Sequence, residues 1–269
     1  MVKESNFRQM KLTVLSENVA GGRFKAEHGL SYLIEYDGIC ILFDTGGSDL
    51  FRNNAFLLNI DLDSRVDYVV LSHGHWDHGN GLEYIASKRL LTHPKAFMKR
   101  FRKLDHTNIG LKLSRDEINT KFDLHESSAP HLISDQIFFL GEIPRTLEFE
   151  SQTTPFVDEY GVADFVPDDS ALAIIKDQSL IVVTGCSHSG VCNIIEYAKK
   201  VTGVSKVKAV IGGFHLKFDN QQTQQTIQYL KEEGLEQIYP SHCTELPALA
   251  AFYSSFSIKQ LKTGAELIF

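Results

Sequence analysis

The stretch Leu71-Ser-His73-Gly-His75-Trp76-Asp77-His78-Gly constrains this chain more than any other. Three imidazoles and a carboxylate lie within six residues, and all four are ligands for first-row metals when the imidazoles are neutral and the carboxylate ionised. Before them, Val66–Leu71 is β-branched and apolar, which predicts a buried strand. After them the chain turns at Gly79 and takes on a helical pattern to Ala86. The motif therefore leaves the C-terminal end of a strand, where α/β proteins place their chemistry. His73 and His75 alternate along extended chain and can point the same way. Asp77 and His78 lie past the bend and can face a second point, so one metal can use the first pair and another the second. The competing reading is a surface histidine cluster without a ligand role, and the flanking strand and glycines weigh against it.

Short apolar runs recur at Leu12–Leu15, Leu30–Tyr36, Ile39–Phe43, Leu90–Thr92, Ile137–Leu140, Ala171–Lys176, Leu180–Thr184, Val207–Ile211 and Leu267–Phe269. Amphipathic stretches separate the later ones. Residues 190–200 put Val191, Ile194, Ile195 and Ala198 on one face, residues 221–234 turn Ile227 and Leu230 inward, and residues 246–253 carry Pro247 in their first turn. Hairpin-like strands come first and strands alternating with helices follow. That order predicts two packed sheets with helices outside. No repeat, low-complexity tract or linker interrupts it, so 1–269 is expected to be a single domain. Residues from 94 to about 165 are less regular and carry a basic cluster, Lys99, Arg100, Arg102 and Lys103.

A formal charge of −7 argues against non-specific nucleic-acid binding, which needs a basic footprint. It leaves room for a small anion in a locally positive cleft. No stretch approaches the roughly 20 apolar residues of a membrane span, and residues 1–6 hold no apolar run of a secretory signal. The four cysteines, Cys40, Cys186, Cys192 and Cys243, form no CxxC pair, so a disulfide framework is not expected. These features place the chain in the cytoplasm as an expectation. They leave its oligomeric state open.

The HxHxDH motif after an apolar strand resembles the metallo-β-lactamase superfamily, and the resemblance runs nearly the whole chain. Phe43-Asp44-Thr-Gly46 is similar to that family's early strand-and-turn motif. Thr184-Gly-Cys186-Ser-His188, Gly212-Gly-Phe-His215 and Ser241-His242-Cys243 follow in the expected order. With Glu27-His28-Gly, they look like the branch often named after 7,8-dihydropterin-6-methyl-4-(β-D-ribofuranosyl)aminobenzene 5′-phosphate synthase. The resemblance implies an αββα sandwich, with 94–165 as an insertion covering the metal cleft. It also implies that Asp44 orients the HxHxDH loop without touching metal.

His188 and His242 are the expected remaining ligands, the first joining His73 and His75, the second joining Asp77 and His78. Each follows a strand-like run, and His188 is bracketed by glycine and serine as no core histidine would be. His215 ends another strand and is expected at the cleft rim, in substrate binding or proton transfer, with a ligand role or a structural one as alternatives. His28 can approach the same cleft. Trp76 is expected beside the metals, and Arg100 and Arg102 are candidates to meet an anionic substrate, against the reading of a solvated helix face. His93, His106, His125 and His131 are expected at the surface or in packing. Many relatives carry a metal-bridging aspartate where this chain has Cys186. A buried thiol among apolar neighbours stays protonated, so Cys186 is not expected to bridge. The carboxylate-bearing Asp77 position should then hold metal more tightly, with Asp168 or Asp169 as candidates to compensate.

The expected activity is hydrolysis of a small, phosphorylated anion by water activated on two divalent ions, with Asp77 and His215 in the chemistry. Zinc suits these donors best, with manganese or iron also compatible. A pterin-related condensing synthase is the alternative that the resemblance implies, and a non-catalytic metal sensor or scaffold is a third.

Overall fold

Alternation of apolar residues with period two builds two sheets from this chain, of which the computed structural model describes residues 9–269. In chain order the strands are β1 (Lys11–Ser16), β2 (Ser31–Tyr36), β3 (Ile39–Phe43), β4 (Tyr68–Val70), β5 (Arg89–Thr92), β6 (Arg100–Arg102), β7 (Asp123–Glu126) and β8 (His131–Ser134). They continue with β9 (Ile137–Phe139), β10 (Phe156–Asp158), β11 (Ala171–Lys176), β12 (Ser179–Thr184), β13 (Val207–Gly213), β14 (Gln237–Ser241) and β15 (Glu266–Ile268). The helices are α1 (Leu50–Leu57), α2 (Leu62–Arg65), α3 (Trp76–Gly79), α4 (Arg115–Lys121), α5 (Val191–Thr202), α6 (Gln221–Glu232) and α7 (Leu246–Ser255).

One sheet runs β15-β1-β2-β3-β4-β5-β7 and the other β14-β13-β12-β11-β9-β8. In β12, Ile181 and Val183 face the inter-sheet core beside Ile41, Phe43, Leu172 and Ile211. Leu180 and Val182 face the opposite way, against Ile194, Ile195 and Ala198 of α5. All six residues of β12 are buried, which explains its unbroken apolar run. Each such side chain contributes about 1.5–3 kcal/mol by leaving water. A third cluster packs α1 and its neighbours on the outer face of the first sheet, through Leu33, Leu42, Phe51, Ala55 and Val69. The expected αββα sandwich is thus what the chain forms.

Three sequence expectations need correction. The strand before the motif is only Tyr68–Val70, because Val66 is consumed in closing α2. The helix starts at Trp76 inside the motif, with His75 at its N-cap, and continues as a 3₁₀ turn through Asn80–Tyr84. Residues 94–165 do not form one cover over the cleft. β7 extends the first sheet, β8 and β9 extend the second, and only β6 and β10 pair separately as a two-stranded ribbon.

Candidate metal centre

Parallel pairing brings the functional loops to one edge. β3 and β4 run parallel in one sheet, as do β12, β13 and β14 in the other. Their carboxyl ends carry Asp44, His73, Cys186, His215 and Ser241 in turn, so side chains far apart in sequence meet outside the strand ends. Backbone strain marks the same loops: Asp44, Ser187, His215 and His242 have φ of +56°, +59°, +50° and +50°. Gly74 is dictated by contact, since a Cβ there would lie 1.7 Å from the Ala96 carbonyl oxygen.

His73, His75 and His188 form one donor group, with a ligand atom from each within 4.8 Å of the others. His73 Nε2 lies 3.0 Å from His75 Nδ1. The Nε2 of His188 is buried and has no hydrogen-bond partner among the described residues. Burial above all, with repulsion from neighbouring imidazoles and Arg100 added, holds all three rings well below the ordinary histidine range. They are neutral, with lone pairs free to bind metal.

Asp77, His78 and His242 form the second group. His78 Nε2 and His242 Nε2 are 3.1 Å apart, and Asp77 Oδ2 lies 3.4 Å from His242 Nε2 and 3.9 Å from His78 Nε2. His28 Nε2 approaches the same carboxylate at 3.1 Å from the solvent side. Burial pushes the Asp77 carboxyl up, but His78, His242 and His28 outweigh it and hold it well below the usual carboxylate range. Burial opposes a charge on His78 as well, yet Asp44 and Asp77 raise it to about 9. Burial lowers His242 to about 4. Orphaned nitrogen, converging lone pairs and a buried carboxylate together fit divalent metal rather than a hydrogen-bonded core.

Supporting groups fix these rings. Asp44 Oδ2 is 2.7 Å from His78 Nδ1, and the same carboxylate accepts from the Ser72 backbone N–H and hydroxyl, each at 2.7 Å. Asn18 Oδ1 lies 2.9 Å from His242 Nδ1, and Glu17 accepts from the His242 backbone N–H. Asp168 Oδ2 accepts from Gly74 N at 2.7 Å, gripping the backbone between His73 and His75. Asp169 accepts from Ser189 N at 2.9 Å, next to His188.

Of the donors, His75, Asp77 and His188 line a cleft of about 240 Å³, together with His28, Trp76, Arg102, Phe156, His215 and Lys217, among others. Phe156, delivered by the β6–β10 ribbon, packs its ring 4.9 Å from His75 and 5.5 Å from His188. Beyond it opens a second cavity of about 450 Å³, bordered by Thr153, Phe165, Phe218 and Gln222 and sharing Phe156, His215 and Lys217 with the first. His215 packs its ring, tilted by 53°, 4.4 Å from that of His188, and burial with the nearby Lys217 charge lowers it to about 4. Its ring is neutral.

Arg100 does not line this cleft. Its side chain is buried, with Nη2 2.7 Å from Asp168 Oδ1 and Nε 3.2 Å from Asp164 Oδ2. It is a strut behind the HxH segment and is spent on carboxylates of its own chain, so it is not available to substrate. The basic cluster also lies along a strand, not a helix, and of its members Arg102 faces the cleft. Neither Asp168 nor Asp169 belongs to a donor group among the described residues, since Arg100, Gly74 and Ser189 occupy them. His93 is buried and pairs with Glu142 at 3.4 Å, while His106 and His125 are exposed. The neighbours of Cys186 are not all apolar, since its Sγ lies 3.1 Å from His78 Nε2, yet burial above all pushes the thiol well above its ordinary range, in keeping with a protonated thiol. Sequence reasoning missed Asn18, Phe156, Lys217 and Cys243 at the site. Phe156 and Lys217 sit near signals already noted, the irregular segment and the His215 turn, whereas nothing local marked Asn18.

Similarity to known proteins agrees with this geometry. Residues 25–94 match the family model described as metallo-beta-lactamase superfamily. The chain is 35% identical over 246 residues to an uncharacterised protein of Methanocaldococcus jannaschii, covering 88% of this chain and 92% of the relative. It is also 35% identical over 272 residues to 7,8-dihydropterin-6-methyl-4-(β-D-ribofuranosyl)-aminobenzene-5′-phosphate synthase of the same organism, covering 92% of each. The crystal structure of Tm1679, a metal-dependent hydrolase of the β-lactamase superfamily, superposes with a TM-score of 0.85 at 29% identity, over 96% of this chain and 98% of that one. A diphosphatase from the PhnP family shares the fold at a TM-score of 0.56 and 15% identity, over 97% of each chain. With the motif, the two-sheet sandwich and the converging donors in agreement, the chain belongs to the metallo-β-lactamase superfamily.

Proposed function

We propose that this chain is a metal-dependent enzyme that holds two divalent ions, zinc first among them, and hydrolyses a small phosphorylated anion. The observation that carries the reading is the pair of adjacent donor groups, each reaching one open cleft, with Arg102 and Lys217 at its wall. Metal in such a site polarises the bond under attack and lowers the pKa of bound water from 15.7 toward about 7.

The chain's own residues supply the rest. His73, His75 and His188 would hold one ion, and Asp77, His78 and His242 the other. Asp77 Oδ2, already ionised, is the acceptor for a proton leaving the attacking water. His215 is neutral, so it positions the substrate or relays a proton, and does not serve as a standing acid. Phe156 and Trp76 exclude water from the reacting atoms. Among the described residues, the Arg102 side chain is held by exposed Asp105, at 3.2 Å, and Lys217 by Glu245, at 3.7 Å, so both can turn to a phosphate.

A metal-stripped preparation assayed on a phosphodiester before and after adding Zn²⁺ or Mn²⁺ tests the chemistry. The reading expects loss and recovery, and full activity after verified metal removal contradicts it. Replacing Arg102 and Lys217 with alanine should raise KM for the anion about tenfold or more while leaving a neutral ester nearly unchanged. The synthase-named relative favours a second reading, condensation in place of hydrolysis, and the 450 Å³ cavity gives room for a second reactant. Supplying a dihydropterin whose 6-methyl carbon carries a phosphate-ester leaving group, with an aminobenzene ribofuranosyl phosphate, distinguishes the two, because condensation joins them through the amine nitrogen and releases the leaving group and a proton, whereas hydrolysis leaves them separate.

A further inference from the structure

Asn18 lies in the loop after β1, where it meets the His28-Gly29 segment that leads into β2 and the His242 loop that follows β14. All four hydrogen-bonding positions of its amide are taken. Oδ1 accepts from Gly29 N at 3.3 Å and lies 2.9 Å from His242 Nδ1. Nδ2 donates to the His242 carbonyl oxygen at 3.1 Å and lies 3.1 Å from His28 Nδ1. The two backbone groups have no choice of role, since an N–H only donates and a carbonyl only accepts. They fix which way round the amide sits, and the amide in turn fixes both rings. A flipped amide would set its NH₂ against the Gly29 N–H and its oxygen against a carbonyl oxygen, leaving all four groups unsatisfied.

The two histidines are held in opposite senses. His242 carries its proton on Nδ1, facing the Asn18 oxygen, and so presents the Nε2 lone pair to the site. His28 accepts at Nδ1, so its neutral ring carries the proton on Nε2, which lies 3.1 Å from Asp77 Oδ2. By distance alone His28, Asp77 and His242 could form a three-ligand group, with a ligand atom from each within 4.8 Å of the others. Only Asp77 and His242 offer that group a lone pair. We infer that His28 is a positioning residue, an N–H donor that holds Asp77 Oδ2 toward the second metal position, and that the Asn18 amide assigns it this part in place of metal ligation. The same amide gives His242 the opposite part, so one side chain sets a ligand and the neighbour that steadies its partner carboxylate. His28 stands at the cleft wall with its side chain 57% exposed, and its N–H reaches the carboxylate from solvent, where no buried group could.

This inference rests on the two-ion reading for what Asp77 and His242 hold, and long-range ¹H–¹⁵N NMR of the imidazoles separates the two. Spectra are recorded at about pH 8.5, where an ordinary histidine is neutral. Metal-free protein is compared with protein given Zn²⁺, ion content is measured independently, and His28→Gln assigns the His28 signals. Metal-free protein should show His28 protonated at Nε2 and His242 at Nδ1. Zinc should shift His242 Nε2 and leave the His28 Nε2 proton in place. In Asn18→Asp a carboxylate oxygen replaces the NH₂ that faces His28, so His28 should gain a proton at Nδ1 while His242 keeps its own. A parent His28 protonated at Nδ1, loss of its Nε2 proton on zinc binding, or an unchanged His28 in Asn18→Asp would each overturn the inference. Failure to bind zinc, with both tautomers as stated, would reject the metal reading and uphold the donor assignment. Should Asn18→Asp not fold, zinc affinity decides. His28→Ala should weaken binding at the Asp77 position about tenfold or more. His28→Gln, which keeps an N–H donor without an imidazole lone pair, should recover most of that loss, and equal losses in both overturn the inference.

Discussion

The two donor groups sit side by side yet are supported mainly in different ways. His73, His75 and His188 are neutral imidazoles, roofed by Phe156 and held chiefly from behind: Asp168 grips the Gly74 backbone, Asp169 grips the Ser189 backbone and Arg100 holds the Asp168 carboxylate, while His73 Nδ1 lies 2.9 Å from Ser72 Oγ. Asp77, His78 and His242 include a charged ligand and are braced through their rings, by Asp44 on His78 and Asn18 on His242. Indirect support fixes where the first group's loops lie. Direct support fixes which nitrogen each ring presents and how basic it is. The difference teaches that damage to the first should appear as lost fold stability, and damage to the second as lost metal affinity.

The largest expected effect is on the first group. Arg100→Ala strands Asp164 and Asp168 as buried, uncompensated charges, which should cost about 3–5 kcal/mol of stability. The control Arg102→Ala, at an exposed pair, should change stability by no more than about 0.5 kcal/mol. Denaturant unfolding of both variants checks this, and equal losses would erase the distinction between strut and cleft residue.

Next comes Glu150, whose carboxylate accepts from Cys192 N and Asn193 N in the first turn of α5, just beyond His188. Burial raises it from 4.5 to about 7, against those hydrogen bonds. Between these values the folded chain keeps a proton that the unfolded chain has released. Its stabilising contribution is therefore full below pH 4.5 and is lost as pH rises through about 7. The loss is on the order of 3 kcal/mol at most. Unfolding free energies across this window should fall with pH in the parent and fall less in Glu150→Gln, and parallel profiles would remove this support from the first group.

Asp44→Asn probes the second group. It keeps the shape but removes the charge facing His78 Nδ1, and should weaken metal binding there by about 10–100-fold, with a smaller effect at the other position, which Asp44 reaches only through Ser72. Equal weakening at both would mean that the two positions share one support.

Much of this was legible in sequence, for reasons that differ by region. Two packed sheets with helices outside followed from the order of strand-like and helix-like runs, among them Leu180–Thr184, whose burial on both faces leaves a continuous apolar signal, and the αββα arrangement was what the family resemblance implied. The six donors were legible because metal chemistry restricts residue type and each donor follows a strand-like run. Arg100 was misjudged because a basic cluster looks alike whether it meets solvent, substrate or buried carboxylates. Its partners Asp164 and Asp168 lie more than sixty residues away in sequence, and only the fold brings them together. The α4 helix was missed although Ser114 and Glu117 form a capping box, a signal present in the sequence but overshadowed by the irregular charge pattern around it. Phe156 was out of reach for another reason: a lone aromatic in a three-residue ribbon strand has no periodicity to announce it.

Metal stoichiometry tests the central claim most directly. Metal-free protein titrated with Zn²⁺ by calorimetry, beside His188→Ala and His242→Ala, should bind two ions in the parent and one in each variant. The ion kept by His188→Ala, held by Asp77, His78 and His242, should be the tighter because its ligands include a carboxylate. A parent that binds a single ion, or variants that both keep two, would contradict the account of two adjacent donor groups.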